Sequence, residues 1–411
     1  MNRINTSQQR FTAQFYQSWG FGRDMSGQIP TSMRLVKLFL THPCWKNCQN
    51  TQEFYMSPMF IPGPVDVNPK ILEAQAQPML PHRSPEFERI FKRASQKAQT
   101  LFYTSARVFL FASSGTGLQE AAVRNLSCGR LLSLSNGAFG ERWHQVALSN
   151  GVQADKLEAD WGKPFSLEKI AEAAGSQKYD ALTVVHNETS TGMENPVKEI
   201  ADVVHSASPD TLICVDAVSS LGGVKIETDS WGLDVVLTSS QKCLALPPGL
   251  GLCAVSDRAM ERAKSVPNRG WYFDFIRMEK HRNKDSTPAT PAVSLIYALD
   301  AQLDRILGEG LEKRFERHAA CGNLVRSWAL KAGFGLFAEQ GYRSNTVTTV
   351  DNRLSLDISD LNRYLRKKNM RIANGYGPLK GETLRIAHMG EIQLDDIQRL
   401  LEALDQYIQT V

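Results

Sequence analysis

The sequence predicts an α/β protein built on a mostly parallel sheet covered by helices on both faces, and three observations carry that expectation. From about residue 53 onward, short apolar runs alternate with amphipathic stretches of helical period. The runs are continuously apolar rather than alternating, which is the mark of strands buried on both faces. Polar, glycine-containing segments follow the carboxyl ends of the runs, where open α/β sheets bind their ligands.

The elements follow in order. Val108–Ala112 reads as a strand ending in Ser113-Ser114-Gly115-Thr116-Gly117, and Leu118–Leu126 as the helix after it. Arg130–Ser135 is a second strand, followed by Asn136-Gly137-Ala138-Phe139-Gly140. Ala181–Val185 leads into His186-Asn187-Glu188-Thr189-Ser190-Thr191-Gly192, and Thr211–Val215 into Asp216. Asp234–Thr238 leads into Ser239-Ser240-Gln241-Lys242. Gly251–Val255 returns at once, so it is expected to be antiparallel or an edge. Five loops thus converge on one crevice, carrying Ser114, Phe139, Thr189, Asp216 and Lys242. Past about residue 310 the texture changes to a small α+β unit. It has a long helix at Leu311–Lys331, strands near 346–350, 371–373 and 384–387, and helices at Ile358–Lys368 and Leu394–Ile408. The expected division is an extension at 1–52, a large domain at 53–309 and a small domain at 310–411.

Composition narrows the function classes. With 42% hydrophobic and 22% charged residues, the chain is globular rather than disordered. No apolar stretch approaches the roughly 20 residues that a membrane-spanning helix needs. Seven cysteines, an odd number in 411 residues, are no disulfide framework and point to free thiols in a reducing compartment. The net charge is +4, but residues 1–52 hold Arg3, Arg10, Arg23, Arg34, Lys37 and Lys46 against Asp24 alone. The remainder is near neutral, so no basic face for nucleic acid is implied. The basic, acid-poor extension reads as a targeting peptide, as an arm docked on a partner subunit, or as residues upstream of a true start at Met56. A cytoplasmic location is expected, or an organellar one if the extension is a targeting peptide. Cys44 and Cys48 have no second pair at ligand spacing, and a zinc site wants about four ligands.

Three features carry chemistry. Small residues at 113–117, between a strand and a helix, let backbone N–H groups approach an anion. They lack the endings of a P-loop or a dinucleotide fingerprint. An acid directly after a buried run, Asp216, needs a partner: a helix N-terminus, a metal or a protonated ring nitrogen. Lys242, flanked by apolar residues, either reaches solvent or is functional, because burial lowers its pKa and frees the amine as a nucleophile. A phosphate cup, an acid for a ring nitrogen, an aromatic for stacking and a desolvated lysine are together what pyridoxal 5′-phosphate requires.

At these residues the chain resembles the class V aminotransferases, in particular their alanine/serine–glyoxylate (serine–pyruvate) branch. The resemblance runs in order through Phe60-Ile61-Pro62-Gly63-Pro64-Val65, His82-Arg83-Ser84-Pro85-Glu86-Phe87, Ser114-Gly115-Thr116-Gly117 and Asn136–Arg142. It continues through His186–Gly192, Asp216-Ala217-Val218-Ser219-Ser220, Ser240-Gln241-Lys242, Thr287-Pro288-Ala289-Thr290-Pro291 and Leu384-Arg385-Ile386, spanning nearly all of 57–411. It implies a fold-type-I architecture with a seven-stranded large-domain sheet. It also implies transfer of an amino group from alanine or serine to glyoxylate or pyruvate by a ping-pong route. By position, Lys242 would hold the cofactor as a Schiff base and move the substrate's proton, and Asp216 would pair the pyridine nitrogen. Phe139 would stack on the ring, Ser114, Gly115, Thr116 and Gln241 would bind the phosphate, and Thr189 would sit near the ring. Thr290 would reach the phosphate of a neighbouring subunit, implying a homodimer, and Arg385 would clamp the substrate carboxylate. Two departures stand out: Thr287 replaces a tyrosine found in some relatives, and Phe139 cannot donate a hydrogen bond as tryptophan can.

Rivals remain at this level. A donor such as aspartate, an aminophosphonate or a purine-derived amine fits the same family. A dicarboxylate would want a second cation, for which Arg83, Arg269 and Arg343 are candidates. A class V lyase or desulfurase is a further rival; a desulfurase would need a mobile cysteine near the substrate, and Cys243 is expected to pack away. A catalytically silent scaffold would not need Lys242 and Asp216, and a nucleotide-binding α/β enzyme would want the glycine fingerprint that this chain lacks.

Overall fold

The computed structural model of the protein describes residues 58–410. The expectations for residues 1–52, including Cys44 and Cys48, lie outside the described residues. The chain opens with a two-residue strand, β1 (Met59–Phe60), then helices Pro69–Gln75 and Pro85–Leu101. Strands β2 (Arg107–Phe111), β3 (Arg130–Ser135), β4 (Gln153–Glu158) and β5 (Ala181–Val185) follow. A small hairpin, β6 (Asn187–Glu188) and β7 (Met193–Glu194), precedes β8 (Leu212–Asp216), β9 (Val235–Ser239) and β10 (Gly251–Val255).

Seven of these form one sheet in the order β2-β10-β9-β8-β5-β3-β4. Strands β4, β3, β5, β8 and β9 run parallel. Strand β10 is antiparallel to both neighbours, and it is interior rather than an edge, because β2 adds outside it. The other edge, β4, has no counterpart in the sequence reading: its residues are polar and at most half-buried, so it lacks the apolar run that marks a central strand.

Successive residues of the central strands serve opposite faces, as a period of two demands. Leu132, Val215 and Val236 pack with Phe87, Ile170, Ile200 and Leu303 on one side. Leu131, Cys214 and Leu237 pack with Leu118, Trp143, Ala259 and Phe275 on the other. Both layers are therefore helical, and only the strand ends stay open to ligands.

Helix Val293–Glu309 stops at Gly310, whose φ of +87° breaks the helical path, and helix Leu311–Lys331 begins a second unit. There β11 (Gly335–Leu336), β12 (Val347–Asp351), β13 (Arg371–Asn374) and β14 (Thr383–Ala387) form a sheet in the order β1-β13-β14-β12-β11. A segment from before the large sheet also joins this one. Strand β1 pairs in parallel with β13, and Phe60 is buried with Cys321, Leu361, Ile386 and Leu400 of this second unit. Two residues are too short a run to announce a strand in sequence. None of the described helices is long and apolar enough to cross a membrane.

Candidate active site

Five loops at the carboxyl ends of the large sheet, together with β14 of the small one, place the candidate residues. After β2, Ser114 caps helix Gly115–Leu126, its hydroxyl accepting from Gly117 N–H at 3.3 Å. Gly115 is obligatory there, because a Cβ would run into the Val218 side chain. Ser114 and Thr116 are exposed on this chain, so the cup opens outward.

After β3, Phe139 lies in the first turn of helix Ala138–Ser149. A buried acid that sequence reasoning passed over caps this helix. Glu188 of β6 accepts from Phe139 N–H at 3.0 Å and Gly140 N–H at 3.1 Å, and from the Ser190 hydroxyl at 2.5 Å. Burial pushes the Glu188 carboxyl up, and these bonds oppose the shift. The half-buried Phe139 ring lies 5.5 Å from the Tyr376 ring, and the Arg142 guanidinium lies 4.7 Å from its centroid. Arg142 also donates to the Tyr376 hydroxyl at 3.2 Å.

Asp216 ends β8, buried at 5% exposure. Its carboxylate accepts from Gln119 Nε2 at 2.7 Å and from Val218 N–H at 2.9 Å. Burial raises its pKa, while those donors and the Arg142 and Lys242 charges pull the other way. Gln119 was not anticipated; its signal is its place one helical turn after Gly115, on the face turned to the sheet.

Lys242 follows β9, and its ammonium is deep in the crevice although the residue as a whole is half-buried. Burial, aided by the Arg385 cation, pushes the amine down to about 8. Nζ donates to the Pro62 carbonyl. The Ile61–Val65 segment crosses directly over the lysine. A Cβ at Gly63, where φ is +83°, would lie 2.6 Å from Lys242 Cδ, and Val65 N–H donates to the Gln241 carbonyl at 3.2 Å.

Thr189 is buried, its hydroxyl donating to Ser219 Oγ at 2.9 Å. Its carbonyl accepts from Arg385 Nη1 at 3.2 Å, and Arg385 Nε donates to the Asn374 carbonyl at 2.9 Å. Those two bonds aim the guanidinium of β14 into the crevice, where burial lowers its pKa to about 10. Gln119 Oε1, Asn187 Oδ1 and Ser239 Oγ, all around this crevice, are buried without a hydrogen-bond partner.

Thr290 is not brought to this cluster: it is exposed on its own loop. Arg83 holds that loop, donating to the Thr287 carbonyl at 2.7 Å and to the Ser286 hydroxyl. The other candidate second cations are also engaged. Arg269 pairs with Asp274 at 3.0 Å, and Arg343 Nε donates to the Ala338 carbonyl. Cys243 packs away as expected: it is fully buried, donates to the Ser219 carbonyl, and burial pushes its thiol up to about 12.

Comparison with known proteins gives a consistent result. A family model described as Aminotransferase class-V matches residues 70–378. An uncharacterized aminotransferase of Methanocaldococcus jannaschii is 38% identical over 340 residues, covering 81% of this chain and 87% of that protein. The serine–glyoxylate aminotransferase of Arabidopsis thaliana is 33% identical over 346 residues, covering 81% and 86%. Among solved structures, the alanine–glyoxylate aminotransferase of Nostoc sp. superposes with a TM-score of 0.81 at 29% identity, covering 86% of this chain and 95% of that one.

Proposed function

The chain belongs to the class V aminotransferases, and from that premise we propose that it moves an amino group from alanine or serine to glyoxylate or pyruvate, in two half-reactions on pyridoxal 5′-phosphate. One observation carries the reading above the others. A lysine with its amine pushed down to about 8, a buried aspartate and a buried arginine share one crevice at the carboxyl ends of the sheet.

The residues present fit the cofactor. Gly115 keeps the floor of the cup clear of side chains, as a phosphate needs. Ser239 Oγ, buried and unpartnered at the end of β9, is a free polar group beside that cup. Ser114, Gly115, Thr116 and Gln241 are the phosphate residues in this reading, and Phe139 and Thr189 flank the ring. The exposed Thr290 serves the partner subunit's phosphate, so the working unit is a homodimer. When bound, the ring supplies a sink for the electron pair left at the donor's α-carbon.

The chain's own residues do the rest. Lys242 would hold the cofactor through its amine, and that amine is the group placed to carry the proton at the donor's α-carbon. Its lowered pKa keeps a working fraction unprotonated near neutrality, which a base requires. Asp216, fixed by Gln119 and Val218, would set its negative charge against the ring nitrogen and so favour a protonated ring. Arg385, aimed by Thr189 and Asn374, takes the substrate carboxylate, and burial strengthens that pairing. Residues 310–411 with β1 form the unit that brings this arginine to the large sheet. Gly63 and Pro62 roof the lysine and help keep water from it.

The test is the absorption spectrum of the purified protein after free cofactor is removed. A visible band should bleach with L-alanine or L-serine and return with glyoxylate or pyruvate. A protein that takes up no cofactor, or a band that no amino acid bleaches, overturns the reading.

A further inference from the structure

Arg314 is among the most deeply buried large side chains of the protein, at 1% exposure, and none of the chemistry above uses it. It sits in the first turn of helix Leu311–Lys331. Its Nη1 donates to Glu309 at 2.6 Å and to Glu391 at 3.2 Å. Two donors are spent differently. Nε reaches the Gly222 carbonyl at 2.9 Å, and Nη2 reaches the Cys243 carbonyl at 2.9 Å. Cys243 is the residue after Lys242.

The turn that Cys243 belongs to is unusual. Ala245 N–H closes it on the Lys242 carbonyl at 2.9 Å, and Ala245 itself is wholly buried with φ at +50°. A residue with a Cβ adopts that left-handed conformation only where its surroundings over-determine it. The surroundings here are a set of fixed contacts. Gly390 leaves room for the turn, since a Cβ on it would stand 3.1 Å from Ala245 Cβ and 3.6 Å from the Lys242 carbonyl. His318 accepts from Gly390 N–H at 3.1 Å and bonds the Arg314 carbonyl at 2.7 Å. Gln302 and Arg305 hold Glu391 at 3.0 and 2.9 Å. The guanidinium is thus the one side chain among the described residues that grips the lysine turn by a carbonyl from the far side.

We propose that Arg314 is a positioning residue for Lys242: by gripping the Cys243 carbonyl it holds the strained turn in the one register that aims the amine into the crevice. The inference rests on the function proposed above, in which Lys242 moves the substrate's proton. A misplacement of about 1 Å at a proton-transferring group can cost on the order of 100-fold in rate.

The experiment uses the cofactor-loaded enzyme and four substitutions. Arg314→Met removes the grip. Arg305→Met disturbs the same ion-pair network through Glu391 without touching the lysine turn. Ala245→Gly relaxes the turn. In Arg314→Met the L-alanine half-reaction, per bound cofactor, is expected to slow about 10- to 100-fold. The donor's KM should stay within about twofold, since Arg385 is untouched, and the pH midpoint of the visible band should move. Adding Ala245→Gly to Arg314→Met should recover part of the lost rate. Arg305→Met should lose thermal stability and keep its rate. Arg314→Lys, which keeps the charge between the glutamates but has no fork for two carbonyls, should show the same slowing if Arg314→Met does not fold. A native rate and midpoint in the folded Arg314 variants, or an equal slowing in Arg305→Met, overturns the proposal. A wild-type enzyme that no amino acid bleaches is a different failure, that of the proposed function itself.

Discussion

Two buried aspartates stand at opposite ends of the same strand pair, and their sequence settings are nearly alike. Asp216 ends β8, and Asp234 immediately precedes β9, the parallel neighbour of β8. Burial pushes both carboxyls above the ordinary value. At the amino end, Asp234 accepts from Ile213 N–H at 2.9 Å and the Ser256 hydroxyl at 2.7 Å, and lies 3.8 Å from Arg258. It ties three chain segments together and answers a cation. At the carboxyl end, Asp216 has two neutral donors and, among the described residues, no cation within ion-pair distance, although Lys242 and Arg142 stand close enough to bias it. One end spends its charge on the fold; the other keeps charge uncompensated where a ligand can answer it. That difference is physical evidence for where the chemistry lies, independent of any resemblance.

The hardest way to break the comparison is at the lysine. Lys242→Ala should lose activity by about 10³-fold or more, the scale of removing a general acid–base group together with the anchor of the cofactor. Single-turnover bleaching by L-alanine measures it, and a variant within tenfold of wild type ends the mechanism. Next comes a matched pair. Asp216→Asn should slow the half-reaction about 10²- to 10³-fold, the scale of removing one preorganised electrostatic contact. Asp234→Asn should leave the rate per folded molecule unchanged. Equal slowing in both would mean that the two ends do not differ as argued.

A third test reads stability instead of rate. In the cofactor-free enzyme the Lys242 amine is depressed from 10.5 to about 8. A lysine whose folded value lies below its unfolded value opposes folding at low pH, and the penalty fades as pH rises from the folded toward the unfolded value. At pH 7 it is at most about 3 kcal/mol by linkage. Lys242→Met should therefore raise the denaturation midpoint of the cofactor-free protein at pH 7, and by much less at pH 10.5. A gain that does not shrink with pH would assign the effect to packing instead.

How much of this was legible depends on what each residue contrasts with. Asp216 stands out because it directly follows an apolar run, and Lys242 because it lies between a buried strand and the apolar Cys243–Leu246, where a charge is costly and demands a reason. Ser114 and Gly115 are not distinctive alone, since small residues in a strand-to-helix turn are ordinary, and only the ordered set of motifs singles them out. Gln119 and Glu188 are not legible, since a polar residue inside a helix or a loop is ordinary until its neighbours are known. The roof over Lys242 is a long-range contact: Pro62 and Lys242 are 180 residues apart, and no local pattern joins them. Strands β1 and β4 were missed because one is two residues long and the other is a polar edge. Arg314 reads as one more charge on an amphipathic helix, and only its 1% exposure separates it from a solvated one.

The smallest expected effect discriminates most finely between the two aspartates. Replacing either by asparagine keeps one acceptor oxygen and turns the other into a donor. At residue 216 the new donor faces Gln119, whose Oε1 is buried and without a partner. A flip of the Gln119 amide presents that oxygen to it, so the bond between the two side chains is kept and one amide atom of Gln119 stays unpartnered, as before. Both swaps remove a carboxyl whose raised pKa costs stability as pH rises through its folded value, so that contribution is shared and the hydrogen bonds separate the two sites. Asp216→Asn should therefore be neutral to stabilising in the cofactor-free protein at pH 7. At residue 234 no such flip exists. The new donor faces Ser256, whose hydroxyl oxygen already accepts from Ala259 N–H at 3.0 Å, and the attraction to Arg258 is lost. Asp234→Asn should cost about 1 kcal/mol, the usual net worth of one hydrogen bond. Urea denaturation of the two variants side by side measures the gap, and a loss at residue 216 as large as that at residue 234 would mean that the carboxyl-end aspartate is built into the fold after all.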